Sequence, residues 1–164
     1  MINSDYRFTT IYSSVDSISL DPQSTYIYGY STEKRSHVVD ILKEKYKDNT
    51  LFIQLEFVDE EKDIVENKES AQTFSLRSKE SIRALLEMYP FDTIYIDVSG
   101  LNNRISAALL NNLLSNDISK NVHIIYAEPE SYKIKQFQSE SVFIDLSEKI
   151  NGIVYYSPKF GPLV

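Results

Sequence analysis

The sequence predicts an α/β fold: a doubly wound, mostly parallel sheet of about five strands with helices on both faces. Short β-branched and aromatic runs alternate with segments whose apolar residues recur at helical spacing. The strand-like runs are nearly continuous in apolar residues, as strands buried on both faces require. Ser, Asn, Gly and Pro punctuate the joins between them.

Residues 1–24 read as a polar N-terminal segment. Phe8 to Tyr12 has β propensity and suits an edge strand or an arm that orders on a partner, but a loose surface segment is the plainer expectation. Thr25 to Tyr30 is the first core strand. Ser31 or Thr32 then caps a helix to about Tyr46, with Val38, Ile41, Leu42 and Tyr46 on its apolar face. Leu51 to Val58 is the second strand, and the charge run from Asp59 to Ser70 is expected as a solvated loop. Gln72 to Leu76 suits a short strand. Ser78 caps a second helix with Ile82, Leu85, Leu86 and Tyr89 inward, and Pro90 stops it. Thr93 to Val98 is the third core strand, and Leu101 to Leu114 is the third helix, with a broad apolar stripe. Asn121 to Ala127 is the fourth core strand. Val142 to Leu146 and Gly152 to Tyr156 each suit a further strand. The expected organisation is a single domain over 25–156 with a tail at 157–164.

Composition narrows the function classes. A chain of 164 residues, 42% hydrophobic and 25% charged, suits one folded domain with a sizeable core. The net charge of −7 argues against broad electrostatic binding of nucleic acid. With 0 Cys there is neither a disulfide framework nor a thiolate metal site. No signal-like or membrane-spanning apolar run is present, so a soluble, cytoplasmic protein without a membrane partner is expected. The 12 Tyr mostly suit half-buried packing in strands, and some can anchor a protein partner or a second copy of the chain.

Topology brings candidate site residues together. In the simplest doubly wound order the first strand lies beside the third, with the second outside the first, and ligands bind where the order reverses. Three turns then converge at the carboxyl ends of the strands: Ser31 to Arg35, Ser99 to Arg104, and Glu128 to Tyr132. Ser99 and Gly100 make a tight turn before a helix start, and Asn102, Asn103 and Arg104 follow. That pattern suits a phosphate, a carboxylate or a base edge, and equally suits simple capping. Asp97 ends a hydrophobic strand and needs partners there, which Arg35 or Arg104 can supply. Arg35 in an opening helical turn is unfavourable unless it faces an acid or an anion. Glu128 and Tyr132 would close the rim. The candidate ligand-binding set is therefore Ser31, Arg35, Asp97, Ser99, Gly100, Asn102, Asn103, Arg104, Glu128 and Tyr132, with no cofactor implied.

The four Gly cannot form a dinucleotide or nucleoside-triphosphate loop, and no nucleophile elbow is present. Of the two His, His123 opens the fourth strand far from the site, and His37 at best flanks it. Glu33, Asp97 and Glu128 leave a second class open, a carboxylate-only magnesium site with hydrolase or nuclease chemistry. A structural subunit of a protein complex is a third reading.

The run Asp97-Val98-Ser99-Gly100 between a strand and a helix resembles the ligand-binding strand end of CARF-type Rossmann-like sensor domains. The turns Tyr30 to Ser36 and Tyr126 to Tyr132 are similar to those of α/β proteins of prokaryotic antiphage defence. The resemblance spans about Thr25 to Tyr132. It implies a Rossmann-like, non-enzymatic sensor or adaptor that binds a nucleotide-like ligand beside a separate effector. A second Gly after Gly100, which a CARF-like phosphate cradle would use, is missing.

Overall fold

The computed structural model describes residues 8–115, 120–129 and 152–156 of the chain. Its strands are β1 (Phe8–Tyr12), β2 (Ser24–Tyr28), β3 (Thr50–Asp59), β4 (Ile64–Asn67), β5 (Gln72–Ser75), β6 (Thr93–Asp97), β7 (Asn121–Ala127) and β8 (Gly152–Tyr156). The helices are α1 (Val38–Tyr46), α2 (Lys79–Glu87) and α3 (Asn103–Leu113), with short 3-10 turns at Val15–Ser17 and Lys34–His37. The eight strands form one sheet in the order β1-β8-β7-β6-β2-β3-β4-β5.

The fold is α/β, and the sheet is mixed and larger than the five strands expected. β1-β8, β8-β7, β7-β6, β6-β2 and β2-β3 pair in parallel. β3-β4 and β4-β5 pair antiparallel. The antiparallel hairpin occupies the charge run that reads as a solvated loop. The hydrophobic signal there is thin: within β4 only Val65 and Asn67 are buried. The strand is held by its pairing on both sides rather than by an apolar run.

Side chains alternate across the pleat, so the central strands β2, β3, β6 and β7 feed two cores. On one face Ile27, Ile53, Leu55, Ile94, Ile96 and Val122 pack with Ile82, Leu85 and Leu86 of α2 and Ile105, Leu109 and Leu113 of α3. On the other, Tyr26, Tyr28, Phe52, Tyr95 and Ile125 pack with Val39 and Leu42 of α1 and with Val15, Ile18 and Leu20. The stretch from Val15 to Leu20 is therefore packed rather than loose. Tyr46 Oη and Lys45 Nζ both donate to the Ile18 carbonyl, at 2.7 and 3.0 Å, and Tyr95 Oη accepts from the Asp21 N–H at 3.0 Å.

Helix α1 departs from the expected pattern. It begins only at Val38, after the 3-10 turn, so its buried stripe rotates to Val39 and Leu42 and leaves Ile41 exposed. Helix α2 starts as expected, with Ser78 Oγ accepting from the Ser81 N–H at 3.1 Å. In α3 Asn102 is the cap, and its side chain accepts from the Arg104 N–H at 2.9 Å. Among the described residues no helix is long and apolar enough to cross a membrane.

Candidate functional site

The strand order reverses between β2 and β6, and a cleft of about 480 Å³ opens at their carboxyl ends. Two of its walls are turns. Tyr30, Ser31, Glu33 and Arg35 come from the turn after β2; Val98 to Asn103, with Ile105, come from the turn after β6 and the first turn of α3. The third wall is Gln54 to Phe57 with Glu60. It belongs to the end of β3 and the turn that follows; Glu128 and Pro129, the described residues after β7, do not line the cleft. The reason is length: Gln54 pairs with Tyr28, the last residue of β2, and β3 continues to Asp59. Its surplus residues stand above the neighbouring strand end as a wall.

Both loop walls are held by their own hydroxyls. The Ser31 N–H donates to Ser36 Oγ at 3.2 Å, Ser36 Oγ donates to the Glu33 carbonyl at 2.8 Å, and the Glu33 N–H donates to Ser31 Oγ at 3.2 Å. Ser99 Oγ accepts from the Ala127 N–H at 2.8 Å, which ties the β6 turn to the end of β7. The two loops also touch directly. A Cβ on Gly100 would lie 2.5 Å from Ser36 Cβ and nearer still to the Gly29 carbonyl oxygen. No glycine among the described residues has positive φ, so Gly100 serves loop-to-loop approach rather than an unusual backbone conformation.

Asp97 lies beneath the cleft and does not line it. It is 1% exposed. Tyr26 Oη donates to one carboxylate oxygen at 2.8 Å and the Ser99 N–H to the other at 2.9 Å. These partners replace the arginine contact expected from the sequence, because Tyr26 projects from the adjacent strand onto the same face. Burial pushes the Asp97 carboxyl above its ordinary value, against the downward pull of the Ser99 and Tyr26 hydrogen bonds and the Arg35 charge. Burial likewise raises the Tyr26 hydroxyl well above its ordinary value, with the Asp97 carboxylate adding to it.

Arg35 faces an acid, as its place near a helical start demands: its Nε lies 2.5 Å from Glu33 Oε2, and its guanidinium sits 5.2 Å from the centre of the Tyr126 ring. Arg104 is at the rim. Its guanidinium covers the Phe57 ring and reaches over to the β3-β4 turn, to Asp63 Oδ1 at 2.7 Å and Glu60 Oε2 at 3.1 Å. Glu128 is buried at the end of β7 and does not line the cleft. Tyr132 lies outside the described residues. His37 flanks the site by stacking on Tyr30 at 5.2 Å, while His123 stacks on Tyr95 at the other end of the sheet.

Ser31, Arg35, Ser99, Gly100, Asn102 and Asn103 therefore meet at one cleft, and Arg104 borders it. Sequence reasoning missed Tyr30, Gln54, Glu56, Phe57 and Glu60. The available signal was the length of the second strand run relative to the first. Chemically, the cleft offers neutral donors and acceptors, the polar start of α3, and one lining guanidinium against the carboxylates Glu33, Glu56 and Glu60. Among the described residues no three metal-ligating side chains gather, so Glu33, Asp97 and Glu128 do not form a metal cluster. No protein-family model matches the chain, and neither curated proteins nor solved structures give a significant match to it.

Proposed function

We propose that this chain is a non-enzymatic, Rossmann-like ligand-binding module, a sensor or adaptor that takes a nucleotide-like small molecule and passes its occupancy to a partner protein. The observation that carries the reading is the cleft at the reversal point between β2 and β6. Open α/β sheets bind ligands there. Its volume of about 480 Å³ falls in the usual range for small-molecule sites. Arg35 and the first turn of α3 supply an anion-tolerant corner, and Asn102, Asn103 and Gln54 supply paired donors and acceptors suited to a base edge. The nucleotide class, and a role in antiphage defence, rest on the resemblance of the Asp97-Val98-Ser99-Gly100 run to sensor domains.

Thermal melts against a panel of linear and cyclic nucleotides test this. A ligand at about 100 times its Kd contributes about 2.7 kcal/mol to the folded state. For a chain of this size that raises the midpoint by about 5–10 °C. Arg35→Ala should remove the rise. A panel with no shift, or a shift that Arg35→Ala leaves intact, refutes the reading.

A further inference from the structure

We infer that Glu60 is a built-in stand-in for an anionic ligand group, a carboxylate or singly charged phosphoryl, which displaces it from Arg104 at the rim of the cleft. The inference rests on the cleft being a ligand site and adds where the charged end of that ligand goes.

The two edges of the Arg104 guanidinium are held very differently. Nη1 donates to Asp63 Oδ1 at 2.7 Å and to the Glu60 carbonyl at 3.1 Å. Asp63 is a fixed partner. Its side chain is 21% exposed, its other oxygen accepts from Arg77 Nε at 2.9 Å, and its carbonyl accepts from the Leu76 N–H at 2.9 Å. Nη2, by contrast, is matched by Glu60 Oε2 at 3.1 Å, and that side chain is 72% exposed. An ion pair so open to water is weak and exchanges readily. Glu60 also lines the cleft, whereas Asp63 does not.

A guanidinium favours a forked acceptor, which carboxylate and phosphoryl groups share. A ligand oxygen can therefore replace Glu60 on Nη2 while Asp63 keeps the arginine aimed. The ligand charge is bounded as well. Glu33, Glu56 and Glu60 line the same cleft, and Arg35 already lies against Glu33. A polyphosphate would meet these carboxylates with no further lining cation among the described residues, whereas a single charge at the rim meets Arg104 alone.

Titrations of the full chain with dimethyl phosphate, which carries a single charge, and with acetate, followed by nuclear magnetic resonance of the backbone amides of Glu60, Asp63 and Asn103, test the inference. Adenosine and cyclic adenosine monophosphate, a singly charged diester, serve as cleft probes by thermal melt. Glu60→Ala should tighten the anions about 2–5-fold, the worth of an exposed ion pair. Arg104→Gln should weaken them at least about tenfold, with Arg104→Lys between the two. Both sites are exposed, and circular dichroism of each variant verifies folding. The phosphate and acetate arms separate the two ligand chemistries. Anion binding that ignores Glu60→Ala, or survives Arg104→Gln, overturns the inference. If adenosine still raises the midpoint in that case, the cleft reading stands without it. If no probe binds in any variant, both fall.

Discussion

Replacing Gly100 by alanine places a methyl group where two loops already touch. Its Cβ would lie 2.5 Å from Ser36 Cβ and closer to the Gly29 carbonyl oxygen, with the Gly29 carbonyl carbon at 3.1 Å. Carbon atoms ordinarily rest about 3.5–4.0 Å apart, so one loop must move by about 1 Å. The obstruction includes backbone, which cannot rotate away, and overpacking of this kind costs about 3 kcal/mol. The stiffer unfolded chain offsets about 0.4–1 kcal/mol of that. The net loss of about 2 kcal/mol lowers the thermal midpoint by about 4–8 °C for a chain of this length. Gly29→Ala is the internal control. Its Cβ would meet Leu101 Cα and Cδ1 at 3.1 Å and the Leu55 carbonyl oxygen at 3.2 Å, contacts that give by tenths of an ångström. Its cost and the unfolded-chain offset nearly cancel, leaving the midpoint within about 2 °C of wild type. Urea unfolding followed by circular dichroism, with unchanged slope, measures both. The reasoning is refuted if Gly100→Ala melts with wild type, or if Gly29→Ala falls as far.

Two further outcomes follow from buried groups and caps. The folded state holds the Asp97 proton above the unfolded value, so the group's contribution is fully present below about pH 4 and is lost as pH rises through its folded pKa. Asparagine can still accept from Ser99 and can donate to Tyr26 Oη. Asp97→Asn should therefore gain on wild type in urea melts as pH is raised from acid to neutral; a constant or narrowing gap contradicts the buried acid. Ser78→Ala removes the α2 cap and should cost about 1 kcal/mol, or about 2–4 °C in midpoint, and an unchanged melt would show that α2 is held by packing alone.

Much of the architecture was legible because burial on both faces leaves a coarse signature. The apolar runs at Thr25 to Tyr30, Leu51 to Val58, Thr93 to Val98 and Asn121 to Ala127 all coincide with strands, and their order β3-β2-β6-β7 is that of the simplest doubly wound connection. What was illegible is local or relational. β4 hides in a charged stretch because a strand near the sheet edge needs hydrogen-bonding partners more than hydrophobicity. The α1 stripe shifted because a 3-10 turn consumes residues at a different angle from an α-helical turn. At the site, the approximate meeting of Arg35, Ser99 and Asn103 follows from topology. That the end of β3 supplies a wall was hinted at only by the relative lengths of the strand runs, and that Asp97 binds Tyr26 depends on strand register, which spacing along the chain does not encode.

The pairing of β1 with β8 has a consequence for biosynthesis. Tyr12 lies beside Tyr156, a separation of 144 residues, and among the described residues β8 is the one strand beside β1. At a translation speed of roughly 5–20 residues per second, the ribosome needs about 7–30 s to make the second after the first. During that interval the earliest strand has nothing to zip against, and the half-built sheet ends on the bare flank of β7. Nascent chains are most exposed to mispairing in this window, and late ribosomal pausing would lengthen it.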